Sequence, residues 1–205
     1  MQHEEVLSLD YTPRPWQEKF HLGSEGKRSS VAIAGRQIGK THLAIAELVS
    51  RAISADDNSN FAYIAPSMVQ ARRIAWVRLK DYLSPFGKYT SVSETQLKIT
   101  LPGNKSIYLL GLDNENIRGL SLKGIVADEY DSMDMDRWNS VVLPTQLNHK
   151  DAWIIFIGTL SNGTSRLWKL YQDHIDNPDW HVQVTKASDT GLLRRRVRAL
   201  QNSNG

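Results

Sequence analysis

The stretch "SSVAIAGRQIGKTHLAIAEL", Ser29 to Leu48, decides the fold. It opens on a short apolar run, Val31–Gly35, that ends in glycine. A helical pattern follows from Lys40 to about Ile53, with Leu43, Ala44, Leu48 and Ala52 on one side. The unit is strand, loop, helix. The loop matches G-x-x-x-x-G-K-[ST], the pattern of a phosphate-binding loop, except that Ala34 stands at the opening glycine. Alanine is small, and Gly35 beside it can take the sharp bend.

A phosphate cradle needs backbone N–H groups pointing inward, a helix N-terminus behind them and a lysine on the outer phosphates. It also needs a hydroxyl for magnesium. Gly35, Arg36, Gln37, Ile38 and Gly39 form the candidate cradle, and Lys40 is its point charge. Thr41 is the candidate metal-holding hydroxyl. An ordinary strand-to-helix turn that happens to contain Gly-Lys-Thr is the alternative.

Further apolar runs alternate with helical patterns. "NFAYIAP" (Asn60–Pro66) is a second strand closed by proline. "SMVQARRIAWVRLKDYL" predicts one amphipathic helix with Ser67 as its N-cap. Thr95–Leu101 and Lys105–Leu112, separated by "PGN", predict a β-hairpin. "GIVADEYD" and "DAWIIFIGTLSNG" are buried strands with polar ends, and "RLWKLYQDHI" predicts a helix. Strands alternating with helices predict an α/β fold, a mostly parallel sheet with helices on both faces. Ligands of such sheets sit beyond the carboxyl ends of the strands, where every polar cluster here falls.

Asp128 and Glu129 end one of these strands. A carboxylate at the tip of a strand neighbouring the loop strand can hold Mg²⁺, so Asp128 is the metal candidate. The next carboxylate points the other way and can orient or deprotonate an attacking water, which assigns Glu129 to catalysis. A solvated strand end is the bland alternative. Arg36 is either a transition-state cation or a solvent-facing loop arginine. The amide of Gln17 can read both edges of adenine, while Trp16 suits core packing. Gly158, Thr159, Leu160 and Ser161 form either a phosphate-sensing strand tip or a plain turn. The helix bearing Arg72, Arg73, Arg78 and Lys80 has a basic face, which is either solvated or a nucleic-acid contact. Spacing assigns no role to Arg118.

The bulk properties fit this picture. The 205 residues are 40% hydrophobic, enough for one domain with a core. No run of about 18 apolar residues predicts a membrane span, and the acidic first residues do not predict a secretory signal. There is no cysteine, hence no disulfide framework or thiolate metal site. The net charge of +3 permits nucleic-acid contact without arguing for it, and part of it comes from Arg194–Arg198.

Taken in order, "WQEKF", "AGRQIGKT", "YIAPSMVQARRIAW", "LLGLDNENIRGL", "GIVADEYDSM" and "IIFIGTLSNG" resemble the ATPase domain of large terminase subunits, the DNA-packaging motor proteins of tailed bacteriophages. The likeness runs from about Pro15 to Leu193. It implies a P-loop NTPase fold of the additional-strand, catalytic-glutamate, RecA-like class, with ATP and Mg²⁺ as cofactors. It also implies a subunit ring on a viral portal in the host cytoplasm, threading double-stranded DNA into a procapsid together with a portal protein and a small terminase subunit. Lys40 and Thr41 match the loop pair, Arg36 the cis-acting loop arginine and Asp128 and Glu129 the acid pair. Gln17 matches the adenine-side glutamine, and Gly158–Ser161 the coupling motif. Many family members carry proline in that motif where Leu160 stands here. The likeness predicts an ATPase domain over residues 1–190 and a basic, flexible tail over residues 191–205. The acid cluster of the family's nuclease domain is missing, so no nuclease activity is expected. Two other functions compete: the first lobe of a superfamily-2 helicase, suggested by "DEYD", and a nucleotide-binding module without turnover.

Overall fold

The computed structural model describes residues 9–159 and 165–190. The apolar runs form strands: β1 (Ser29–Ala34), β2 (Asn60–Ala65), β3 (Ser91–Ser93), β4 (Lys98–Leu101), β5 (Lys105–Gly111), β6 (Gly124–Asp128), β7 (Trp153–Gly158) and β8 (Trp180–Thr185). They build one sheet in the order β3-β4-β5-β2-β6-β7-β1-β8. From β5 to β8 in that order every pairing is parallel, while β3 and β4 add on antiparallel at one edge.

Helices cover both faces. Successive residues of a strand point to opposite sides, so each buried strand supplies two cores. On one side Ala32, Phe61, Tyr63, Ile155 and Ile157 meet Phe20 of α1 (Pro15–Ser24), and Leu43 and Leu48 of α2 (Lys40–Ile53). A broken helix packs on the same side: α3 (Met68–Ala71), a π-helical turn (Arg72–Trp76) and α4 (Val77–Leu83). On the other side Val31, Ile33, Ile64, Ile125 and Phe156 meet Trp138 and Leu167. Trp138 begins a π-helical turn (Trp138–Val142) that follows α5 (Met135–Arg137), and Leu167 belongs to α6 (Arg166–His174). Burying each such Leu, Ile or Phe stabilises the fold by about 1.5–3 kcal/mol. Among the described residues no helix is long and apolar enough to cross a membrane.

The structure changes four expectations. The acid strand β6 is not the neighbour of β1, because β7 lies between them. The helix after β2 is not one α-helix, since a π turn interrupts it, although Ser67 caps it by accepting from the Gln70 amide at 3.3 Å. The first hairpin strand is shorter than Thr95–Leu101: Leu97 has a φ of 48°, and left-handed backbone cannot continue a strand. Two elements, α1 and β8, carry too weak an apolar pattern to be read. In β8, His181, Gln183 and Thr185 alternate with Val182 and Val184, and buried Gln183 donates to the Trp16 carbonyl at 2.8 Å.

Candidate functional site

A cleft of about 1050 Å³ opens beyond the carboxyl ends of β1, β6 and β7. Its walls bring together Arg36, Gly39, Lys40, Thr41, Asp128, Glu129 and Thr159. These residues come from three separate stretches of the chain. Parallel strands put their tips on one side of the sheet, and the loop and both polar strand ends meet there.

The loop's shape depends on left-handed backbone at two positions. Gln37 has a φ of 61°, and Gly39, the N-cap of α2, has a φ of 103°. A side chain at residue 39 would be strained there and would place its Cβ 2.9 Å from Gln17 Nε2. The Lys40 ammonium donates to the carbonyls of Ala34 and Gly35, both at 3.0 Å, and to Thr159 Oγ1 at 2.6 Å. Thr159 is the first residue beyond β7, so the intervening strand delivers its hydroxyl to the loop lysine. Burial lowers the Lys40 pKa; the carboxylates of Glu129 and Asp128 work against that, and Arg36 adds to it.

Asp128 is buried, with 3% of its surface exposed. It accepts from the Glu129 amide at 2.9 Å and from the hydroxyl of Tyr63, which is fully buried on β2. Burial pushes its carboxyl up to about 6, with the Tyr63 hydroxyl pulling the other way and the Glu129 charge adding to the rise. Glu129 differs in every respect. Its φ of 51° and ψ of 44° turn the chain out of β6, and its side chain is exposed. A non-glycine residue held there stores about 1–2 kcal/mol of strain, a kind that gathers at functional sites. Among the described residues its carboxylate makes no hydrogen bond or ion pair. Two adjacent acids thus divide into a buried, held one and a free one facing the cleft.

Arg36 is exposed on the cleft wall. Gln17 is buried, outside the cleft lining, and its amide is engaged at both ends. Oε1 accepts from the Arg14 amide at 2.8 Å and Nε2 donates to the Gly39 carbonyl at 2.9 Å. Ile38 is buried in the core beneath the loop, and Gly35 packs its backbone against Ala187. At Gly158 a Cβ would meet Leu167 Cδ1 at 2.5 Å, so close packing of α6 explains that glycine. Leu160 and Ser161 lie outside the described residues, as do Arg194–Arg198. Arg118 stands on a surface 3₁₀ turn, 4.0 Å from Glu115 and outside the cleft lining.

Sequence reasoning missed four contributors. Arg14 lines the cleft and donates to the Ile38 carbonyl at 2.8 Å. Arg73 and Arg78, read as a solvated or nucleic-acid face, line it too. Tyr63 looks like any strand aromatic until β2 is known to pair with β6. Tyr63→Phe is expected to cost about 1–3 kcal/mol of stability near neutral pH, because it leaves a buried carboxylate oxygen short of a donor. Urea unfolding of the two proteins measures this, and equal midpoints would remove Tyr63 from the site.

Residues 31–195 match the family described as terminase large subunit, T4likevirus-type, N-terminal. The large terminase subunit of Thermus phage G20c is 26% identical over 171 residues, covering 74% of this chain and 34% of that protein. The chain therefore spans about a third of that relative's length. Among solved structures, the large terminase ATPase domain of Thermus phage P74-26 superposes with a TM-score of 0.74 at 23% identity, covering 92% of this chain and 86% of that one. The large terminase of a thermophilic bacteriophage, solved in complex with ATP-gamma-S, gives a TM-score of 0.71 at 18% identity, covering 92% and 48%.

Proposed function

The chain belongs to the family of terminase large subunits, and on that premise we propose that it is the ATP-hydrolysing part of a phage DNA-packaging motor. One observation carries the proposal. A loop lysine, a strand-tip hydroxyl and a pair of adjacent acids converge on one cleft, with the second acid free. A solved relative in complex with ATP-gamma-S supports the choice of nucleotide.

The residues divide the work as follows. Backbone amides between Gly35 and Gly39 and the start of α2 receive the phosphates, and Lys40 exchanges its carbonyl and Thr159 partners for phosphate oxygens. Thr41 and Asp128 would hold Mg²⁺, and the site fits a cation. Asp128 is a carboxyl that burial pushes up to about 6, and each of its oxygens keeps a lone pair beyond the bonds described. Magnesium takes few protein ligands and keeps waters and phosphate oxygens for the rest; its contribution is to neutralise phosphate charge. Glu129 accepts a proton from the attacking water or orients it, and being exposed and unpaired it is free to do so. Arg36 meets the charge that develops on the transferred group. Thr159, which touches Lys40 directly, is the first group outside the loop to register whether phosphate is bound. Double-stranded DNA is the proposed track, with a portal protein, a small terminase subunit and further copies of the chain in a ring as partners.

The test is ATP hydrolysis by the purified protein, with magnesium, with and without linear duplex DNA. The expected result is magnesium-dependent turnover that duplex DNA raises, with no separation of a short duplex into strands. Strand separation would favour a helicase. Tight ATP binding without turnover under any of these conditions would favour a silent binding module.

A further inference from the structure

We propose that Arg73 and Arg78, on the broken helix after β2, contact the terminal phosphate of the bound nucleotide and let the site distinguish a triphosphate from a diphosphate. This rests on the nucleotide reading above and adds a second cationic wall to it. Both arginines line the cleft, together with Gln70 and Ile74 from the same helix.

Residues five apart in a regular α-helix lie about 140° away from each other around its axis, at the two margins of one broad face whose middle here is held by Gln70 and Ile74. The π turn Arg72–Trp76 overlaps this interval. Its hydrogen bonds span five residues instead of four, so the chain needs more residues to come round, and positions 73 and 78 draw closer together on that face. Single π turns within helices recur at functional sites. The Arg78 guanidinium is also held, since Nη1 donates to the Ile74 carbonyl.

The two sources of positive charge come from different elements, Arg36 from the loop and Arg73 and Arg78 from the broken helix. Among the described residues neither Arg73 nor Arg78 is in an ion pair, whereas Arg51, Arg118 and Arg137 are. Five cationic side chains line the cleft against three acidic ones. Without Arg73 and Arg78 the two signs would balance, leaving no excess for a polyanion.

Equilibrium binding of fluorescent ATP and ADP analogues with magnesium tests the proposal on wild type, Arg73→Ala, Arg78→Ala and Arg78→Lys. ATP affinity should fall about tenfold or more in each alanine variant, the size of a lost charge-assisted contact, with ADP affinity nearly unchanged. Arg78→Lys should recover part of the loss. An equal fall for both nucleotides, or no fall for either, overturns the proposal. So does an unmoved ATP-to-ADP ratio accompanied by weaker, less salt-dependent binding of duplex DNA, which would assign the arginines to nucleic acid. Wild-type protein that binds neither nucleotide overturns the functional reading, and this proposal with it. Should Arg78→Ala unfold for loss of its bond to Ile74, Arg73→Ala decides the matter, because among the described residues Arg73 makes no side-chain hydrogen bond.

Discussion

Glu129→Gln is expected to cut ATP turnover by about 10²–10⁴-fold, the usual worth of a positioned general base. ATP affinity should hardly change. The substitution keeps the size of the side chain and removes its charge and its ability to take a proton. Two features of the structure make the experiment clean. The Glu129 side chain is exposed and has no hydrogen-bond partner among the described residues, so no packing or bonding is lost with its charge. The left-handed backbone at this position is set by the chain around it, with the Glu129 carbonyl accepting from the Ser132 amide at 2.8 Å. Single-turnover phosphate release beside equilibrium nucleotide binding gives the answer. A Glu129→Gln protein that turns over ATP at the wild-type rate would end the assignment of this residue as the base.

Lys40→Ala should weaken ATP and ADP alike by about 10–100-fold, since one charge-assisted contact to phosphate is removed from both. The equal effect separates Lys40 from Arg73 and Arg78, for which only the triphosphate should respond. Stability without nucleotide should move by no more than about 1 kcal/mol. The three hydrogen bonds of the ammonium are lost, yet so is a half-buried positive charge that its surroundings already disfavour. Fluorescence titration and urea unfolding together check both halves. Unchanged nucleotide affinity would detach the loop from phosphate binding altogether.

The sequence carries the loop almost completely. A short apolar run, a Gly-Lys-Thr turn and a helical period fall within one stretch, and α2 begins at Lys40 and ends at Ile53 as the pattern requires. The acid pair is legible for a similar reason: Gly124–Ala127 is buried in full and the polarity changes abruptly at its end. Strand order is not legible, because parallel strands joined by helices carry no mark of their neighbours in sequence. The position of β7 between β1 and β6, and with it the Lys40–Thr159 bond, emerges only from the fold. The sequence marks Arg73 and Arg78 as part of a basic helix face, but only the fold shows that the two of them line the cleft. Gln17 was recognisable as a functional position but its partner was not. A glutamine beside a proline and a tryptophan gives no sign that its amide will reach a carbonyl 22 residues away. The alternation in β8 was visible in principle, but its buried members, Gln183 and Thr185, are polar.

The grip of α1 on the loop sets the direction of the amides nearest Lys40. A trans peptide is flat, with its N–H opposed to the carbonyl across the same bond, and no cis peptide occurs among the described residues. Arg14 draws the Ile38 carbonyl toward α1 and Gln17 draws the Gly39 carbonyl the same way. The N–H groups of Gly39 and Lys40 must therefore point away from α1. The donors are aimed while the protein folds, and the entropy of arranging them is not charged to the arriving anion.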